Sequence, residues 1–184
     1  VGPDSAGSMP GPACYGRGGT MPTVTDADLV MSWIDPALFA GGHISLDPAA
    51  SVAACTNVVA TPLKMTAEQA ALGITEIVTE TMANAARVHA VENGKETAGR
   101  TMIAFGGAAP LHAARMAAKL GMDRVLVPVG AGVGSAHGFL GAPMGYEVVR
   151  TRLVSLNAFD AALINDLYDA MRIEAEAVVR LGAP

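Results

Sequence analysis

An α/β architecture, rich in helix and with only a few strands, is what the 184-residue sequence predicts. Three observations carry it. Thr101 to Phe105 is a short continuous apolar run that fits a buried strand, and it leads through Gly106-Gly107-Ala108-Ala109-Pro110 into a helical segment that ends at Leu120 and Gly121. Arg124 to Val129 repeats the strand signal at once. Two long segments, 67–92 and 158–181, have apolar residues at helical spacing, so each docks one face on something apolar.

Taken in order, residues 1 to 22 hold Gly2, Pro3, Gly7, Pro10, Gly11, Pro12, Gly16, Gly18, Gly19 and Pro22, too many breakers for a helix or a central strand. Cys14, Tyr15 and Arg17 among these turn residues mark an ordered loop rather than a polar linker. Thr25-Asp26-Ala27-Asp28 reads as a capping box with Thr25 at the N-cap, opening a helix through Ile34 that Asp35-Pro36 ends. Asp47-Pro48 is an N-cap followed by Pro at the first helical position; the helix it starts runs to Val59 and is broken by Thr61-Pro62. Thr66 and Gln69 form a second capping box for the segment 67–92, which Asn93-Gly94 closes. Ala70, Ile74, Ile77, Val78, Ala85 and Val88 fall on its apolar face, Glu76, Glu80, Asn84 and Arg87 on the other. Tyr146 to Leu156 alternates as a further strand, and the final helix carries Ile164, Leu167, Met171, Ala175 and Val178 on one side.

Composition excludes several classes. Hydrophobic residues make up 51% but aromatics only 4%, so packing comes from small side chains. Charged residues are 16% against about a quarter in an average domain, which implies surface covered by a partner or by further chain. A net charge of −5 leaves no electrostatic footprint for nucleic acid. No apolar run reaches the roughly 18–20 residues of a membrane span. Val1-Gly2-Pro3-Asp4 has neither an initiator Met nor the order of a signal peptide and reads as an internal start. Cys14 and Cys55, without CxxC spacing, fit a reducing cytoplasm.

The sharpest site signal is Ala104 to His112. Paired glycines after a strand let a ligand touch bare backbone, and the helix start behind them offers amide donors to an anion, as a nucleotide needs. A tight turn needing positive φ explains the same glycines. Gly130-Ala131-Gly132-Val133-Gly134-Ser135 mimics a dinucleotide fingerprint imperfectly, with Ser135 at the third small apolar position and Gly138, Gly141 and Pro143 shortening the helix that follows. His43, His89, His112 and His137 lie too far apart for a metal motif, and only His112 sits beside the glycine turn, where a packed histidine bonded to a carbonyl is the alternative to a ligand. Asp26 and Asp28 read as capping residues before cation ligands, and Cys14 as a small buried thiol.

Four blocks, Val1 to Gly7, Pro10 to Gly19, Pro22 to Ala27 and Phe105 to Ala113, closely resemble the hydantoinase/oxoprolinase family in its hydantoinase A branch, from residue 1 to about residue 152. That branch holds ATP-dependent N-methylhydantoinases, 5-oxoprolinases and subunits of acetone and acetophenone carboxylases. The resemblance implies part of an actin-like (ribonuclease H-like) ATPase lobe. Residues 1–156 would be the C-terminal part of the nucleotide-binding module, opening with the ordered loop 1–22, and 157–184 the start of the following region. It implies ATP at Gly106, Gly107, Ala108 and His112, with magnesium contacts upstream and the catalytic residues outside this stretch. The γ-phosphoryl group would activate a carbonyl or lactam oxygen of a lactam, hydantoin or ketone for ring opening or carboxylation. It further implies a hydantoinase B-type subunit or domain as partner in a cytoplasmic oligomer, and no turnover by these 184 residues alone. Two departures are Ala109 where the family commonly has Gly, and His137 in place of an apolar residue. A non-catalytic structural subunit and, on Gly130 to Ser135, a dinucleotide-binding oxidoreductase are the competing readings.

Overall fold

The computed structural model describes Gly2 and residues 4–182; Val1 and Pro3 of the opening loop, with Ala183 and Pro184, lie outside the described residues. In chain order the elements are α1 (Val24–Val30), α2 (Pro48–Cys55), a π-helical turn (Thr56–Ala60), α3 (Thr61–Leu63), α4 (Ala67–Glu92), β1 (Thr101–Ile103), α5 (Ala109–Lys119), β2 (Arg124–Leu126), α6 (Gly134–Gly141) and α7 (Ala161–Gly182). The chain forms two compact units, Val1–Gly134 and Ser135–Pro184.

In the first unit α1 is the hub, packing on α4 and α2, while α4 packs on α5. β1 and β2 pair in parallel, with Thr101 opposite Arg124, Met102 opposite Val125 and Ile103 opposite Leu126, and α5 makes the crossover that parallel pairing requires. The α/β class therefore stands. The strands are shorter and more open than expected. Ile103, Phe105, Leu126 and Val127 are each more than half exposed, because no third strand pairs with this sheet among the described residues.

The core is built from small residues. Ala27, Ala54, Ala70, Ala71, Ala83, Ala113 and Ala117 are buried, and the largest fully buried side chains are Thr75, Thr79, Asp26, Cys14, Cys55 and Ser51. Such residues let helices approach closely at native packing density. The buried stripe of α4 is Ala71, Thr75, Thr79 and Ala83, whereas Ile77, Ala85 and Val88, expected on the packed face, are exposed. The reason is local chemistry: the hydroxyls of Thr75 and Thr79 bond the carbonyls of Leu72 and Thr75 on their own helix at 2.9 and 2.8 Å. Their polarity is thereby hidden, and they pack as β-branched apolar groups do.

Three boundaries differ from the sequence reading. The capping box of α1 lies two residues earlier, at Thr23 and Asp26, and the helix stops at Val30. Thr61-Pro62 does not break the second helical run; the π-helical turn before it absorbs the missing Pro62 N–H, and the run ends where Lys64 turns left-handed. In the second unit Tyr146 to Leu156 forms no strand, since a strand needs a ladder partner and none pairs with it among the described residues. The α7 start is capped by Asp160, which accepts from the amides of Ala162 and Leu163. Its half-buried stripe is Ile164, Leu167, Met171, Ala175 and Val179, with Val178 more exposed. The box at Thr66 and Gln69 and the end at Asn93 are as expected.

Candidate functional site

Two buried carboxylates on α1 organise the first unit. Asp26 is completely buried and closes the capping box with Thr23. Its Oδ1 accepts from the Cys14 amide at 2.9 Å and the Ser51 hydroxyl at 2.7 Å, and its Oδ2 from the Ala13 amide, the Thr23 amide and the Thr23 hydroxyl at 3.1, 2.9 and 2.8 Å. Burial alone would push this carboxyl up, but the hydrogen bonds from Ser51, Cys14 and Thr23 outweigh it and hold Asp26 below the ordinary carboxylate range. One side chain thus ties the opening loop and α2 to α1. Gly19 closes the loop on itself: a Cβ there would collide with the Gly11 carbonyl oxygen. Cys14 packs with Leu29 and Leu46, and burial, reinforced by the Asp26 charge, pushes its thiol up to about 12. Cys14 is an inert core residue rather than a nucleophile.

Asp28 faces the other way. Its Oδ2 stands 3.3 Å from His112 Nε2 on α5, both side chains being almost fully buried. The alternative of a histidine bonded to a carbonyl gives way to a carboxylate partner. Burial raises the Asp28 carboxyl above its ordinary range and His112 opposes that shift. Asp28 Oδ1 and His112 Nδ1 are buried with no hydrogen-bond partner among the described residues. Trp33 completes the arrangement through the end of α1. There the Trp33 amide bonds the Asp28 carbonyl and the Ser32 amide that of Leu29, with Ser32 at φ +58°, a Schellman ending built on Ser instead of Gly. That turn brings the Trp33 ring edge-on to His112 at 5.8 Å, and the Arg115 guanidinium lies 5.3 Å from the centre of the same Trp33 ring.

The glycine turn joins β1 to α5. Gly106 adopts φ +103°, and its amide bonds the Ala131 carbonyl at 2.7 Å. A Cβ at Gly106 or Gly107 would meet nothing within 4 Å, so neighbouring atoms do not fill the space in front of this backbone. The α5 N-cap, Ala108, supplies no side-chain acceptor to the first amides of the helix. Beneath the turn, Met82, Ile103, Phe105, Ala109, His112 and Met116 are among the residues lining an open, mainly apolar recess of about 230 Å³.

Of the four residues singled out, Gly106, Gly107 and Ala108 share the turn, while His112 is turned inward onto Asp28. Positive φ at Gly106 satisfies the tight-turn reading, and the open space before Gly107 leaves the ligand reading its geometry. Sequence reasoning missed Asp28 and Trp33. The available signal was the spacing Asp26-x-Asp28, because two carboxylates two residues apart on a helix lie on different faces. Only one of them can cap. Gly130 at φ +74° leads into a short 3₁₀ turn and the eight-residue α6, unlike the long crossover helix of a dinucleotide fold. His137 is exposed on α6. Among the described residues no three His, Cys, Asp or Glu side chains gather as metal ligands, and no helix is long and apolar enough to cross a membrane.

Residues 1–148 match the family model described as hydantoinase/oxoprolinase. The chain is 46% identical over 114 residues to the acetophenone carboxylase gamma subunit of Aromatoleum aromaticum, covering 62% of this chain and 16% of that protein. Among solved structures, the nucleotide-free acetone carboxylase from a study of ATP-dependent acetone carboxylation superposes with TM-score 0.72 and 32% identity over 79% of this chain and 20% of that one. The ATP-dependent caprolactamase of Pseudomonas jessenii superposes with TM-score 0.71 and 33% identity over 95% of this chain and 26% of that one. The chain spans less than a quarter of the length of the curated relatives it matches.

Proposed function

The chain belongs to the hydantoinase/oxoprolinase family, and on that premise we propose that it works as part of a longer ATP-dependent enzyme that activates a lactam or carbonyl oxygen for ring opening or carboxylation. In this reading residues 1–156 are the C-terminal part of an actin-like nucleotide-binding module and 157–184 begin the next region. The observation that carries the reading is the glycine turn, with open space before Gly106 and Gly107 at the start of an α5 whose first amides have no side-chain cap. That combination suits a nucleotide, which needs backbone approach and amide donors without competing side chains.

ATP, when bound, supplies a phosphoryl group that turns the substrate oxygen into a leaving group or activated ester. The residues of this chain bind and orient. Gly106, Gly107 and Ala108 present backbone to the nucleoside side of the ligand, and Ala109 lines the apolar recess below, so its methyl group adds to a wall instead of blocking the turn. His112 supports the turn from inside. We place no magnesium ligand on this chain. The general base or nucleophile, the hydantoinase B-type partner and the ring-opening specificity of the N-methylhydantoinase or 5-oxoprolinase kind would lie outside these residues, which predicts no turnover by the 184 residues alone. The several relatives that are subunits of larger enzymes support an oligomer, and two free buried cysteines suit a cytoplasmic protein.

The test is Gly107→Val in the full-length enzyme. With open space around it, Gly107 tolerates a side chain sterically, so the fold survives while the nucleotide path is blocked. Calorimetric ATP affinity falls at least tenfold with melting unchanged; wild-type affinity in the variant removes the turn from the site.

A further inference from the structure

The pair Asp28 and His112 is an expensive way to join α1 to α5. It is buried, and one polar atom on each side chain has no partner among the described residues. Buried charged or polar pairs that are incompletely satisfied are commonly matched or bettered in stability by apolar residues of similar volume. Stability alone therefore gives this pair no reason to be there. What it supplies is direction. The 3.3 Å approach of Nε2 to a carboxylate oxygen and the Trp33 ring standing edge-on to the imidazole together hold the plane of the His112 ring.

The position of that ring is what gives direction consequence. His112 lies in the first turn of α5, three residues beyond the start at Ala109, and Asp28 is held by an α1 that is itself locked to the opening loop and α2 through Asp26. The free end of the turn is held by one backbone bond, from the Gly106 amide to the Ala131 carbonyl. Between those two anchors the segment 107–111 has no side-chain hydrogen bond of its own among the described residues. The other charged groups on the packed elements are engaged elsewhere. Asp26 faces the loop, Glu76 and Glu80 pair with Lys119 at the surface of α4 and α5, and Arg115 pairs with Glu76 while lying over the Trp33 ring.

We propose that Asp28, acting through His112, is a positioning residue that sets the first turn of α5, and with it Gly106 to Ala108, for the nucleotide. The inference rests on the nucleotide reading of that turn, so its test has one readout that needs ATP and one that does not. In the full-length protein, the double substitution Asp28→Ala/His112→Leu removes the polar pair and keeps an apolar contact, and Asp28→Asn keeps an acceptor for Nε2–H. The double variant melts at or above wild type, its ATP dissociation constant rises at least tenfold by calorimetry, and amide hydrogen exchange accelerates at least tenfold at Gly106, Leu111 and His112 while Ala104 is unmoved. Asp28→Asn stays within threefold of wild type in both readouts. Wild-type affinity and exchange in the double variant overturn the proposal, and so does faster exchange spread evenly over the first unit with a lowered melting point, which assigns the pair to stability alone. Should the wild-type protein bind no ATP, the nucleotide reading fails and the exchange pattern by itself decides whether the pair positions the turn.

Discussion

Asp26 and Asp28 stand two residues apart on one short helix and are both buried, yet their surroundings ask opposite things of the proton. Around Asp26 five donors converge on two oxygens, and the carboxylate is held in its charged form. Around Asp28 there is a single imidazole, one oxygen is left unpaired, and burial favours the protonated form. Burial is shared, so it does not explain the difference. The number of donors does: three of those on Asp26 are backbone amides that the fold must satisfy somewhere, whereas Asp28 faces a helix side whose amides are already spent within α5. One carboxylate is a knot that holds structure, and the other is a pointer that costs stability and sets an orientation.

The comparison breaks most visibly at the knot. Asp26→Ala strands the Ala13 and Cys14 amides and the Ser51 hydroxyl, and at roughly 1–3 kcal/mol for each buried unsatisfied group a loss of at least about 3 kcal/mol in urea denaturation is expected. A loss below about 1 kcal/mol would mean that the loop finds other acceptors. A smaller effect of opposite sign is expected at the pointer. Asp28→Asn keeps the acceptor and removes the cost of a buried charge, so it changes stability by no more than about 1 kcal/mol near neutral pH, in the stabilising direction.

Titration sharpens the same contrast. For Asp26 the folded-state carboxyl lies below the ordinary value of 3.8, so its contribution is complete above that pH and is lost as pH falls from there through the lower folded value. For Asp28 the folded value lies above 3.8, so wild type loses stability relative to Asp28→Asn as pH rises from about 4 through the raised value, then stays level. Stability curves of wild type and Asp28→Asn that run parallel from acid to neutral pH would remove this assignment. The smallest effect concerns Cys14. With its thiol pushed up to about 12, it resists iodoacetamide in the folded protein at pH 8 and reacts once urea exposes it, as mass spectrometry of the labelled peptide shows.

How much was legible beforehand depended on whether the signal was local. The box at Thr66 and Gln69, the cap at Asp47, and the order of strand, glycine turn and helix at 101–120 are written in neighbouring residues, and they formed where expected, the strand being shorter and more open. The box assigned to Thr25 slid to Thr23 because Asp26 had to meet the loop amides as well as the helix end, a demand made by residues up to 25 positions away. The inward turn of Thr75 and Thr79 was hidden by their polarity, which vanishes only when the hydroxyls bond their own helix. The strand expected at Tyr146 to Leu156 failed for a related reason: alternation offers a face, and a ladder still needs a partner. Within the candidate site Gly106, Gly107 and Ala108 were legible from composition and order, while Asp28 and Trp33 were not, since nothing near them in sequence names His112.

By itself, then, the sequence determined the α/β class, the family and the place of the glycine turn, because caps, breakers and motif blocks act over a few residues. Tertiary structure alone decided which of two nearby aspartates would be held below the ordinary carboxylate range and which would be raised above it beside His112. That choice depends on how many donors packing brings to each carboxyl, and packing assembles those donors from α2, α5 and the opening loop only after the helices have found one another.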